Sequence, residues 1–212
     1  MPRKPQFTTE DVVSAAFELV REKGLAGLSA PAVAEKMGAS TMPIYSHFEN
    51  MQALEDEVVK KAWGLVNQYQ TNKYTGDAWI DQAIGYIRFA REENNLFRCI
   101  LDGRNRELKL RMNRHQWENL TKALESYDAF KELDDEEVLR IRYARVMLSH
   151  GIATAAKIGL NKIFFENESL LTRFLIGASQ ALLQGYKTVP ALKGEERRLM
   201  EKKIKEMLDS DR

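Results

Sequence analysis

The 212-residue sequence predicts an all-α protein, with a small N-terminal three-helix domain that holds a helix-turn-helix, followed by a larger helical domain. Apolar residues recur at the three-to-four spacing of one helix face along most of the chain. The breaks fall at 74–76, 128–133, 161–167 and 188–193. β-Branched residues are scattered, and no Asn-Gly or Asp-Gly turn joins two alternating runs, so strand signals are missing.

The first helix is expected from about Thr9 to Lys23, with Thr8 or Thr9 as its N-cap. Val12, Val13, Ala16, Phe17 and Val20 make its buried face. Gly24 follows the charged last turn and is free to take positive φ. Ser29 caps a second helix with Pro31 in its first turn, where a missing N–H costs little. Val33, Ala34 and Met37 form its inner side.

Gly38 and Ala39 make the turn, and Ser40 is the expected cap of a third helix reaching about Phe48. Ile44 and Phe48 point inward, which leaves Thr41, Met42, Tyr45, Ser46 and His47 on or beside the outer face. So short a helix must be carried by its neighbours. Its small exposed side chains suit insertion into a DNA major groove, with backbone N–H groups near phosphate.

Further helices are expected at about 51–71, 77–93, 95–102, 104–126, 134–160, 168–187 and 194–209. Val146 to Leu160 and Leu170 to Tyr186 are apolar or small nearly all round, which predicts burial on more than one side. Gly151, Ala155 and Gly159 recur every fourth residue on one, and Gly177, Ala181 and Gly185 on the other. Glycine inside a helix costs about 1 kcal/mol against alanine, so close packing must offset it. That packing is either within one chain or between two copies paired as a four-helix bundle.

The run Gly38-Ala39-Ser40 through Ile44-Tyr45-Ser46-His47-Phe48, with Asn50 and Leu54, resembles the DNA-binding domain of TetR-type transcriptional regulators. Val33-Ala34-Glu35-Lys36-Met37-Gly38 resembles the family's preceding helix. The motif spans about the first quarter of the chain. The resemblance implies a domain boundary near residue 50, with 1–50 binding DNA and 51–212 serving effector binding and dimerisation.

It makes Ser29, Tyr45 and His47 phosphate contacts, and places Thr41, Met42 and Pro43 where the family reads base edges. Ser40 and Ser46 flank them. Two positions depart from the pattern. Met51 replaces a lysine after Asn50, removing a phosphate-seeking charge. Pro43 disfavours the helical region for Met42, so a distorted first turn is expected. The outer face lacks Arg, Asn and Gln, so readout rests on Thr41, apolar contact with thymine methyls, and DNA shape.

Composition bounds the rest. The net charge is +1 and 44% of residues are hydrophobic, which supports a sizeable core but no strongly basic DNA-binding face. Arg3 and Lys4, in the Pro-flanked arm, are candidates for phosphate or minor-groove contact. The single cysteine, Cys99, excludes an internal disulfide, and His47, His115 and His150 show no metal-ligand spacing. No leader or long apolar run is present, so a cytoplasmic protein without membrane contact is expected. Catalytic motifs and cofactor fingerprints are missing, and no enzyme is expected.

The middle helices are expected to enclose an effector pocket, as the resemblance implies. Its candidates combine an apolar body with an adaptable group: Trp63, Tyr86, Phe89, Cys99, Trp117, Tyr143, Met147 and His150. With no internal cation cluster evident, a hydrophobic or aromatic effector is expected. The reading is therefore a homodimeric regulator of double-stranded DNA, a repressor released from its operator by a small molecule. The competing reading is a helical ligand-binding or interaction protein whose helix-turn-helix no longer reads DNA.

Overall fold

The computed structural model describes residues 7–102, 104–125, 127–157, 166–188, 193–199 and 202. Among them the long elements are all helices: α1 (Thr9–Lys23), α2 (Ala30–Met37), α3 (Met42–His47), α4 (Met51–Thr71), α5 (Ala78–Glu92), α6 (Asn94–Asp102), α7 (Arg106–Lys122), α8 (Asp135–Lys157) and α9 (Glu168–Thr188). Single 3-10 turns lie at Leu25–Gly27 and Asp128–Phe130. Residues 194–199 are helical; Arg3, Lys4, Gly159 and most of the expected last helix lie outside the described residues. No described helix is long and apolar enough to cross a membrane.

The chain forms two compact units, one of residues 1–67 with 92–112, the other of 68–91 with 113–212. The first therefore reaches past residue 50, taking in most of α4 and all of α6. Its centre is α1. Thr8 Oγ1 accepts from the Asp11 N–H at 3.2 Å while the Thr8 N–H donates to Asp11 Oδ2 at 2.8 Å, a reciprocal cap worth about 1 kcal/mol. Val12, Val13, Ala16, Phe17, Leu19 and Val20 are buried, and Gly24 ends the helix at φ 72°.

α2, α3 and α6 pack on α1. Helix ends leave carbonyls without intrahelical partners. Asn95, in the first turn of α6, fills that gap for α1 by donating from Nδ2 to the Arg21 and Glu22 carbonyls at 3.0 Å each. Beside it, Arg21 Nε donates to Glu93 Oε2 at 2.7 Å, and Arg21 Nη2 pairs with the other carboxylate oxygen. α4 holds the opposite end of α1, since Lys61 Nζ donates to Glu10 Oε1 at 2.7 Å and to Ser14 Oγ at 2.8 Å. Asn50 caps α4 by accepting from the Ala53 N–H at 2.9 Å.

In the second unit, the last turns of α4 meet α5 at Gly85. A β-carbon there would stand 2.0 Å from the Tyr69 carbonyl oxygen and 2.7 Å from Gln70 Cα. Trp79 on α5 is fully buried and meets Phe130 edge-on at 5.2 Å. α8 and α9 pack together.

Within one chain neither helix is buried all round. Met147 on α8 is 59% exposed and Phe174 on α9 is 38% exposed. Gly151, Gly177 and Ala181 are exposed too. Nothing lies within 4 Å of a β-carbon built at Gly151, Gly177 or Gly185. The residues α8 does bury include Arg142, Arg145 and Ser149. α8 thus buries these polar groups together with Ile141, Ile152 and Ala153, while Met147 stands in solvent.

Candidate functional site

Gly38 takes the left-handed conformation at φ 63° and ψ 34°, and the Ala39 N–H donates back to the Ala34 carbonyl at 2.9 Å. This closes α2 and turns the chain into α3. The expected N-cap Ser40 is corrected by one residue: the first helical residue is Met42, and Thr41 occupies the N-cap position without a side-chain cap bond. The first bonds come from the Ile44 and Tyr45 N–H groups, both to the Thr41 carbonyl, at 3.1 and 3.4 Å, and Pro43 stands in the first turn, where a missing N–H costs little. Ser40 Oγ instead accepts from the Met42 N–H at 3.4 Å.

Ile44 and Phe48 face inward at 1% and 8% exposure. Met42 and Tyr45 face outward at 77% and 56%. Two large apolar side chains held side by side in water on a six-residue helix are not explained by packing within this chain. Thr41 and Pro43 are half-buried, and Ser46 is exposed with its hydroxyl donating to the Pro43 carbonyl at 2.7 Å. Ser29 is exposed at the start of α2, where its oxygen accepts from the Ala32 N–H at 3.4 Å, leaving its own hydroxyl proton for another acceptor.

His47 differs from the expectation of a phosphate contact. Its Nε2 lies 2.9 Å from the Phe7 carbonyl oxygen and its Nδ1 3.0 Å from Thr9 Oγ1. A carbonyl only accepts, so Nε2 carries the proton and donates, and Nδ1 accepts from the Thr9 hydroxyl. The ring is consumed in tying the start of α1 to α3. This role of Thr9 is not visible in local spacing, because the partnership spans 38 positions.

Of the effector candidates, Trp63 and Cys99 belong to the first unit, and Tyr86, Phe89, Trp117, Tyr143, Met147 and His150 to the second. Cys99 is 1% exposed, and burial, with the Glu55 and Asp102 carboxylates adding to it, pushes its thiol up to about 12. That suits core packing and not nucleophilic chemistry. Tyr86 Oη and His150 Nδ1 are 2.9 Å apart, and Trp117 and Tyr143 stack at 4.9 Å. Met147 points into solvent. In the first unit a polar cleft of about 560 Å³ lies between α1 and α6, lined by Glu18, Arg21, Glu22, Glu92 and Glu93 and by none of the effector candidates. Among the described residues no cluster could hold a metal ion.

The expectation that the interior lacks cations is overturned. Arg140, Arg142 and Arg145 are only 6%, 5% and 2% exposed. Arg142 lies 4.1 Å over the Trp117 ring and donates from Nη1 to Thr121 Oγ1 at 2.7 Å. Arg145 lies 4.3 Å over the Trp79 ring and donates from Nη2 to Gln82 Oε1 at 3.1 Å. Burial pulls the Arg145 guanidinium down to about 9, with the neighbouring Arg142 charge acting in the same direction, and pulls Arg142 down to about 10. Arg145 Nε and Trp79 Nε1 are both buried without any hydrogen-bond partner. Each such donor costs roughly 1–3 kcal/mol. Hydropathy alone reads arginine as a surface residue, which is why these were missed.

A short helix braced on a helical tripod, with an uncharged reading face and a capped helix start beside it, defines a helix-turn-helix DNA-binding regulator. Residues 12–58 match the model of the family described as bacterial regulatory proteins, tetR family. The match covers the helix-turn-helix part of the chain, 12–58 of its 212 residues. No curated protein matches the chain. Among solved structures it is similar to a TetR point variant from Acinetobacter baumannii AYE in complex with minocycline, at 15% identity and a TM-score of 0.48, over 89% of this chain and 100% of that one.

Proposed function

We propose that this regulator is a homodimeric repressor that reads its operator with α3 and leaves it when a small molecule binds in the second unit. The observation that carries the reading is the exposed Met42 and Tyr45 pair on α3. Met42, Thr41 and Pro43 address base edges, and Tyr45 and Ser29 address phosphate. A selection of bound fragments from genomic DNA tests this, and an enriched near-palindrome is the expected result. Replacing its thymines by uracil removes the methyl groups that Met42 and Pro43 are assigned to touch, and affinity is expected to fall about tenfold. Recovery of no motif, with binding insensitive to salt, would leave a helical binding protein whose helix-turn-helix does not read DNA.

The dimer is assigned to the apolar face of α8 and α9, where Met147, Phe174, Gly151, Gly177 and Ala181 stand in solvent. Pairing with a second copy covers that face and offsets the cost of the helical glycines. Gly177→Leu is the sharp test, because open space over Gly177 lets a single chain accept the side chain. Sedimentation is expected to give a dimer for the wild type and a folded monomer for the variant. A dimer that survives moves the interface elsewhere.

Repression by two half-sites requires a fixed separation of the two α3 helices. Effector binding is assigned to a conformer in which α4 shifts, and with it the Lys61 contact to α1.

A further inference from the structure

Arg145 is the least explained group in the molecule. It is a buried cation, and no carboxylate among the described residues lies within ion-pairing reach of it or of Arg142, which sits one helical turn away on the same face. Its protein contacts are a neutral amide oxygen and an indole ring. Its Nε has no acceptor, and neither does the N–H of the indole beneath it. The surplus is therefore of one kind: donors and positive charge, without matching acceptors or negative charge. A structural arginine is ordinarily matched to a carboxylate or to carbonyls. Arg140 differs in charge balance alone: its Nε and Nη2 lack hydrogen-bond partners among the described residues too, but Glu136 stands 3.8 Å away.

We propose that Arg145, with Trp79 and Gln82, is the anion-recognition point of the effector site, and that the effector is a small organic carboxylate on an apolar or aromatic body. The Nε–H and one Nη2 N–H share an edge of the guanidinium, the geometry that receives both oxygens of a carboxylate. The indole N–H of Trp79 is the further unused donor of this cluster, and Trp79, Phe130 and Tyr127 supply an aromatic wall. Arg142 adds a second positive charge nearby. Because Nε is sealed from solvent, entry of the acid requires the Arg145 and Gln82 side chains to separate. That motion links occupancy to the α5–α8 packing. The proposal rests on the effector-responsive reading above and specifies its ligand.

The test uses the full chain with sodium benzoate, and with benzamide as the neutral isostere, at matched ionic strength. At a hundredfold excess over its dissociation constant, benzoate is expected to raise the wild-type melting temperature by roughly 5 °C, and benzamide not to. Arg145→Met is expected to fold and to lose the benzoate response. Arg145→Lys keeps the charge without the fork and is expected to bind benzoate tenfold or more weakly; it carries the test if the methionine variant does not fold. Equal responses to benzoate and benzamide, no wild-type response to benzoate, or a benzoate response that survives in both variants overturns the proposal. Benzoate binding that leaves operator affinity unchanged overturns its assignment as an effector site. Failure of the wild type to bind any operator strikes the regulator reading instead, and the thermal arm still decides the carboxylate site.

Discussion

Replacing Gly85 by alanine is expected to destabilise the second unit by about 3 kcal/mol or more. The added carbon would lie 2.0 Å from the carbonyl oxygen and 2.5 Å from the carbonyl carbon of Tyr69. Backbone cannot step aside as a flexible side chain does, so α5 must retreat from the end of α4. The retreat pulls on the Gln70 side chain, which donates to the Gln82 carbonyl at 3.2 Å, and on the Tyr69–Phe89 ring contact. Thermal denaturation followed by far-ultraviolet circular dichroism checks this against Gly177→Ala. That control sits in open space and is expected to be neutral or to gain up to about 1 kcal/mol from helix propensity. Equal melting temperatures for the two variants would mean that α4 and α5 do not approach so closely.

Tyr45→Ala is expected to weaken operator binding by tenfold or more while leaving the melting temperature within about a degree. A hydrogen bond to a charged group contributes roughly 1.5–3 kcal/mol, and the 56% exposed ring contributes little to the fold. Fluorescence anisotropy with a labelled operator measures the loss, and Tyr45→Phe separates the hydroxyl from the ring. If Tyr45→Ala binds as the wild type does, α3 is not the helix that meets DNA.

What could be read in advance follows the range of the forces involved. α1 was legible at both ends because its cap, Thr8 with Asp11, and its stop, Gly24, are local signals. The N-cap of α3 falls at Thr41, one residue past the expected Ser40, whose hydroxyl oxygen accepts from the Met42 N–H instead, and helix ends are the least sharply encoded part of an element. Gly85 was passed over while Gly151, Gly177 and Gly185 drew notice, because spacing reports which residues share a face and not what stands opposite. The same limit hid Asn95, Glu93 and the His47–Thr9 pair, each joined to a partner far along the chain. The buried arginines had one usable signal. Arg142, Arg145 and Ser149 form a polar stripe on the side of α8 away from Met147 and Gly151, and the packing places that stripe in the core.

The exposed face of α3 presents Met42, Pro43, Tyr45 and Ser46 and carries no formal charge, and the His47 ring is already engaged within the protein. A contact made by such a face differs in its heat from the salt-like grip of a basic helix. Covering Met42 and Pro43 against thymine methyls would remove apolar surface from water and make the heat-capacity change of operator binding negative. Few ions are released from the DNA at that contact, so its share of the affinity survives added salt. Warming and salting thus act on separate parts of the complex: temperature reaches the reading helix, and ionic strength reaches the phosphate contacts around it.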